Sequence, residues 1–303
     1  MFEPKKLCGI YTNLVFAGGG TKGIAYMGVL KYLQEHGLIE YCQRVIGSSA
    51  GALTAMLVAS KVSYEAAHQE LLNFPLSEIK DDDIGIIRDT QRLINRYGYY
   101  KGDRLEEEVG NLLGKYLGQS NIKFAEFYEK TGIDLIVTIT CVEKGETWYC
   151  NYLTEPQMEV KKAVRMSMSI PWAFASIEYK GLHFCDGGVY DNFPIDYWDD
   201  KEKGIKNEHT LGFLLLDNNQ YNGQKEDYDT SNLIQYSIAL IRGAIDRSSL
   251  FHYEMELKSE NCRIVKINIG KAKTLDTSLS EEQIKQLIES GYNSCIEYFK
   301  HKN

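Results

Sequence analysis

Near its start the chain twice repeats one pattern: a short apolar run stops at small residues, and a helical pattern begins. Asn13 to Ala17 (NLVFA) stops at Gly18-Gly19-Gly20. Ile24 to His36 follows, with Ile24, Met27, Leu30 and Leu33 at helical spacing and Gly37 placed to cap the end. Arg44 to Gly47 then runs into Ser48-Ser49, and Ala50 to Ala59 is small and apolar enough to be a helix buried on all sides. Short apolar runs without polar alternation suit strands covered on both faces. Strands that alternate with helices predict one α/β domain with a largely parallel sheet.

The rest of the chain continues the alternation. Asp134 to Val142 (DLIVTITCV) is the strongest strand, β-branched and almost continuous, with Trp148 to Leu153 as its neighbour. His209 to Leu216 and Arg263 to Ile269 read as two more strands. Helices are expected over Glu159 to Met168, Ser231 to Leu257 and Ser280 to Lys300, the last opened by a Ser280/Gln283 capping box. Ser63 to Gly118 reads as mostly helical, and polar Asp217 to Thr230 as a surface loop. With no repeat and no Pro/Ser-rich linker, the reading is a single domain over residues 1–303, with its core in 13–200 and residues 205–303 completing it.

Charge narrows the function classes. Lys plus Arg number 34 against 42 Asp plus Glu, for a net charge of −8. This argues against nucleic acid as the main partner and against simple electrostatic docking on an anionic membrane. Seven scattered cysteines, odd in number and without a C-x-x-C pair, favour free thiols in a reducing compartment. The first residues lack the apolar core of a signal peptide, and no stretch reaches the roughly 20 apolar residues of a membrane span. The expected location is cytoplasmic, soluble or peripheral at membranes. No metal and no cofactor is expected: Asp81-Asp82-Asp83 reads as a solvated acidic turn, and Asp217 to Tyr228 fails as a calcium loop.

Three motifs carry chemistry. Gly18 to Gly23 (GGGTKG), between a strand and a helix, lets backbone N–H groups converge where the helix dipole favours negative charge. Such a spot holds a phosphate or the oxyanion of a tetrahedral intermediate; the plain alternative is a tight turn. Gly47-Ser48-Ser49-Ala50-Gly51 fits G-x-S-x-G, the elbow that exposes a nucleophilic serine. There Ser49 is central, Ser48 is its competitor, and a simple helix cap is the alternative. A dinucleotide fold would want an acidic residue at the end of the second strand. Ser48-Ser49 stands there instead, which favours acyl transfer. Third, Asp186-Gly187-Gly188 supplies a carboxylate whose following glycines let the backbone turn it towards another loop. None of the six histidines sits in a recognisable turn motif, and His183, three residues from Asp186 on a strand, would face the other way.

Four ordered blocks then resemble the patatin-like phospholipases: GGGTKG at Gly18 to Gly23, GSSAG at Gly47 to Gly51, SMSIPWAF at Ser167 to Phe174, and DGGVYDNFP at Asp186 to Pro194. Lys101-Gly102-Asp103 is a looser fifth. The resemblance is nearly continuous from Leu14 to Asp196. It implies a three-layer α/β/α sandwich and a lipid acyl hydrolase using a Ser–Asp dyad without histidine. Carried over, Ser49 is the nucleophile and Asp186 the general base. Gly18, Gly19, Gly20, Thr21 and Gly23 make the oxyanion hole, supported by Gly47, Gly51, Gly187 and Gly188. The family often has Arg at Lys22, so that side chain is given no catalytic weight.

The resemblance also implies a phospholipid or other lipid ester as substrate, transient contact with a membrane surface, and, as for some members, an activating protein partner. Ile84 to Tyr100 mixes apolar and basic residues, the signature of an amphipathic core helix and equally of a lid or interface-binding segment over the acyl pocket. The rivals are another serine esterase with a Ser-His-Asp triad, which needs His209 or His252 after Asp186, and a non-catalytic nucleotide- or lipid-binding protein.

Overall fold

The computed structural model describes residues 11–73, 96–222, 228–258, 262–270 and 278–300. The acidic run 81–83 and most of the segment read as a core helix or a lid, residues 84–95, lie outside these.

The strands, in chain order, are β1 (Asn13–Phe16), β2 (Arg44–Ser48), β3 (Gly98–Tyr100), β4 (Asp134–Cys141), β5 (Glu146–Cys150), β6 (Trp172–Phe174), β7 (Ile177–Tyr179), β8 (Leu182–Asp186), β9 (Thr210–Leu216) and β10 (Ile264–Asn268). Five of them, β10-β9-β1-β2-β4, run parallel; β8 and β7 continue the sheet antiparallel, and β5 pairs antiparallel with β4. The C-terminal strands β9 and β10 thus lie in the same sheet as β1.

The two faces of this sheet explain its composition. Leu14, Phe16, Val45, Leu135, Val137 and Phe213 join one buried cluster, while their neighbours Val15, Ala17, Ile46, Ile136 and Leu214 join another. Period-2 geometry sends successive side chains to opposite faces, so strands apolar at every position need a layer on each. The first face is covered by α1 (Tyr26–Glu35), α2 (Ala50–Ala59) and, at the far end of the chain, the helix Glu281–Lys300. On the second lie Phe193 and Ile195, with Leu250 and Tyr253 of the long helix Leu233–Leu257. The fold is the three-layer α/β/α sandwich that the sequence implied. Its α1 crosses the last helix at two glycines: a Cβ on Gly28 would strike the Ile288 carbonyl, and one on Gly291 the Ala25 carbonyl.

Several local readings need correction. Ser63 to Gly118 is not helical throughout: α3 (Tyr64–Asn73) and α4 (Asp103–Leu117) are, but β3 lies between them, pairing parallel with β6 in a two-stranded sheet. Three residues are too few for periodicity to reveal, and the partner strand is remote in sequence. The first turn after the glycine loop is a 3₁₀ helix, Gly20–Ala25, and α-helix begins only at Tyr26. Within the expected loop from Asp217, Asn218–Tyr221 makes one helical turn, because Asp217 and Gln220 form a reciprocal capping box.

Candidate active site

The glycine loop follows β1 and the serine elbow follows β2. These strands are parallel neighbours, with Phe16 opposite Gly47, so the two turns lie side by side at the carboxyl ends of the central strands. Ser49 has φ 52 and ψ −123, a positive φ that a non-glycine residue adopts only under constraint. The constraint is visible at the flanking glycines: a Cβ on Gly47 would strike the Gly51 carbonyl, and one on Gly51 the Phe16 carbonyl. The elbow closes because neither position carries a side chain.

Asp186 reaches the serine by register. β2 pairs with β4 from Arg44 opposite Asp134 to Ser48 opposite Thr138. β8 runs the other way and pairs Asp186 with the next β4 residue, Ile139. Because β5 occupies the other flank of β4 from Val137 to Cys141, β2 and β8 must share one flank. They meet there head to head, Ser48 and Asp186 facing consecutive residues of β4. A contact spanning 137 residues of chain follows: Ser49 Oγ donates to Asp186 Oδ2 at 2.7 Å. Gly188 N–H donates to the other oxygen, Oδ1, at 2.8 Å. Gly187 tolerates no Cβ, which would strike the Thr138 carbonyl.

Asp186 is 2% exposed and Ser49 5%. Burial pushes the Asp186 carboxyl from 3.8 up to about 7, against the lowering effect of the Ser49 hydroxyl and the Gly188 amide. A buried carboxylate with this affinity suits general-base work near neutral pH. No histidine is hydrogen-bonded to Ser49 or Asp186 among the described residues; His183 Nδ1 instead lies 2.6 Å from Glu143 Oε1.

The glycine loop divides its labour. Gly18 N–H is given to the Asn192 carbonyl at 3.1 Å, and the Gly19 carbonyl accepts from Lys22 N–H at 3.3 Å. Gly19 and Gly20, half-buried and beside Ser49, have amides with no acceptor among the described residues. Gly20 sits at φ 58, where a side chain would be strained. Gly23 is a spacer inside the 3₁₀ helix, where a Cβ would come within 2.8 Å of Ala50 Cβ. Thr21 lines a cavity beside Ser49.

That cavity, about 150 Å³, is walled by Met27, Leu53, Leu57, Leu71, Val109 and Leu112. It can take a hydrocarbon chain. A second, of about 50 Å³, adjoins both Ser49 and Asp186 and is lined by Lys22 and Arg242 among others.

Reasoning from sequence missed the strut that joins the two halves. Ser167, at the end of the helix Val160–Ser167, accepts Ser49 N–H on its Oγ at 2.8 Å and Gly187 N–H on its carbonyl at 3.3 Å. Ser169 accepts Asp186 N–H on its carbonyl at 2.9 Å. The strut is held in turn by Arg165, 2% exposed, whose guanidinium donates to the Gly102 carbonyl at 2.6 Å and to Ser169 Oγ at 2.5 Å. Gly102, at φ 76, lies so close that a Cβ would strike that guanidinium. The blocks Lys101-Gly102-Asp103 and Ser167 to Phe174, which carried no chemistry as motifs, are thereby two ends of one clamp.

Comparison with known proteins places the chain in a family. The sequence model of the patatin-like phospholipases matches residues 14–199, well over half the chain. The chain therefore belongs to the patatin-like phospholipase family, and at that level it is a hydrolase of lipid esters. It is 26% identical to an uncharacterized protein of Acanthamoeba polyphaga mimivirus over 296 residues, 96% of this chain and 95% of that one. It is 28% identical to a probable lipid hydrolase of Invertebrate iridescent virus 6, over 61% of this chain and 62% of that one. Triacylglycerol lipase ptl3 of Schizosaccharomyces pombe is 31% identical over 57% of this chain, which spans only 35% of the lipase. In fold the chain is similar to VipD from Legionella pneumophila, with a TM-score of 0.63 at 19% identity, covering 95% of this chain and 66% of VipD. No helix among the described residues is long and apolar enough to cross a membrane.

Proposed function

We propose that this protein cleaves carboxylic esters of lipids, glycerophospholipids foremost, through an acyl-enzyme on Ser49 with Asp186 as the general base. The observation that carries the reading is the 2.7 Å bond between a buried carboxylate and the hydroxyl of a strained, buried serine that itself lines an apolar cavity. Ser49 Oγ attacks the ester carbonyl as Asp186 takes its proton. The oxyanion accepts from the Gly19 and Gly20 amides. Collapse breaks the ester C–O bond, and Asp186 gives its proton to the departing alcohol. Water then attacks the acyl-Ser49 carbonyl, losing a proton to Asp186. Breakdown frees the fatty acid and returns that proton to Ser49 Oγ. The hydrocarbon chain lies in the cavity of Met27, Leu53 and Val109 throughout.

The test is mass spectrometry of lipids lost from a mixed extract. Wild type should release free fatty acid, while Ser49→Ala and Asp186→Asn should each release none above background. Loss of activity in a His183, His209 or His252 variant instead would replace the dyad with a triad.

A further inference from the structure

The glycine loop and the Asp186 loop are joined by one side-chain amide to which the chemistry above gives no part. Asn192 follows the short helix Gly188–Asp191 and is 6% exposed. Its Oδ1 fills the space of two absent side chains: a Cβ on Gly18 or on Gly188 would strike it. Its backbone carbonyl accepts Gly18 N–H at 3.1 Å, and its Nδ2 donates to the Gly18 carbonyl at 3.4 Å. The same Nδ2 donates to Ser249 Oγ at 3.0 Å, and Ser249 is tied back to the Ile245 carbonyl of its own helix. Asn192 therefore holds both polar groups of Gly18, and is itself held by the helix Leu233–Leu257.

The geometry points to Asn192 as the positioning residue of the oxyanion site, a role that rests on the hydrolase reading above. The Gly18 carbonyl and the Gly19 N–H belong to one planar trans peptide unit, so they point in opposite directions. An amide that holds the carbonyl on one side directs the N–H to the other, away from Asn192. Gly19 N–H is one of the two loop donors without an acceptor among the described residues. When negative charge develops before it, the peptide polarises and its carbonyl becomes a better acceptor, so the 3.4 Å bond tightens as the transition state forms. Asn192 thus acts through the Gly18–Gly19 peptide, without touching the substrate.

The test uses a pair of soluble short-chain substrates, an oxoester and its thionoester. Sulfur accepts hydrogen bonds poorly, so an aligned amide favours the oxoester. Asn192→Ala should lower kcat on the oxoester by about 10²-fold, near the loss of one oxyanion donor. The thionoester should lose much less, so that the preference between the two shrinks at least about tenfold. KM should stay within about twofold and the acid limb of the pH profile should not move, because Asp186 is untouched. Asn192→Leu keeps the size but has no donor for the Gly18 carbonyl. It should show the same selective loss and serves if the alanine variant does not fold. Equal losses on both substrates, or no loss on either, would overturn the role. A folded wild type inert towards both esters would overturn the hydrolase reading and this role together, whereas an active wild type with an unchanged preference in the variants overturns this role alone.

Discussion

Asp186→Asn should abolish hydrolysis and yet make the protein harder to unfold above neutral pH. In the unfolded chain Asp186 loses its proton near 3.8, and in the folded protein near 7, because burial penalises the charge. Below about pH 4 both states carry the proton and the residue is neutral in the balance. Between those values the unfolded state ionises while the folded state does not, so stability falls as pH rises. Above about pH 7 the loss is complete: a gap of some three units at 1.36 kcal/mol each is roughly 4 kcal/mol, an order-of-magnitude figure for a fully buried group. Asparagine keeps the shape and avoids the charge. Its amide oxygen can still accept from Gly188 N–H, and its NH₂ can donate to Ser49 Oγ, which accepts as readily as it donates. Urea unfolding of both proteins should give near-equal stabilities below about pH 4 and a variant more stable by several kcal/mol at pH 8, with the difference growing between about pH 4 and 7. A variant equal to or weaker than wild type at pH 8 would refute the reasoning, for it would mean that Asp186 is folded in its charged form without strain.

Three further outcomes follow from the same geometry. The rate of ester hydrolysis should rise tenfold per pH unit on an acid limb centred near pH 7, where Asp186 becomes able to take a proton, and His183→Ala should leave that limb in place; a midpoint near pH 4 would contradict it. Ser167→Ala removes the acceptor of Ser49 N–H and should lower kcat by about tenfold with little change in KM, read by steady-state kinetics on a soluble ester. Arg165→Met strips the clamp from the Gly102 and Ser169 groups and should cost about 3 kcal/mol in denaturant unfolding, because buried carbonyls lose a charged donor and Gly102 loses its packing partner; a loss under about 1 kcal/mol would show the clamp to be dispensable.

Much of this architecture is legible in the sequence because local rules govern it. Asn13 to Ala17 and Asp134 to Val142 are apolar at successive positions, and burial on both faces demands that. Gly47 and Gly51 are readable because any side chain there would meet backbone. What was not legible depends on partners remote in the chain. β3 exists because β6 lies beside it. Ser167 and Asn192 look like ordinary polar residues until the fold brings each against two loops. Gly18 and Gly23 read as members of one oxyanion nest, but tertiary contacts give Gly18 N–H to Asn192 and set Gly23 against Ala50. Composition cannot reveal how a loop's donors are shared out.

That the proposed dyad can work without histidine is intelligible from the sheet. A triad histidine lets a serine reach a carboxylate that stands at a distance, and its own affinity for protons already suits neutral pH. Here β2 and β8 end against consecutive residues of β4, so serine and carboxylate are in contact without an intermediary. What such an arrangement lacks is a base of suitable strength, since a solvated Asp is too weak. In this proposal the register that removes the need for histidine also buries Asp186 at the end of β8, inside the sheet, and burial brings the carboxyl up to about 7. Proximity and basicity therefore have one origin, and a change that opened the flank of β4 to water would weaken both at once.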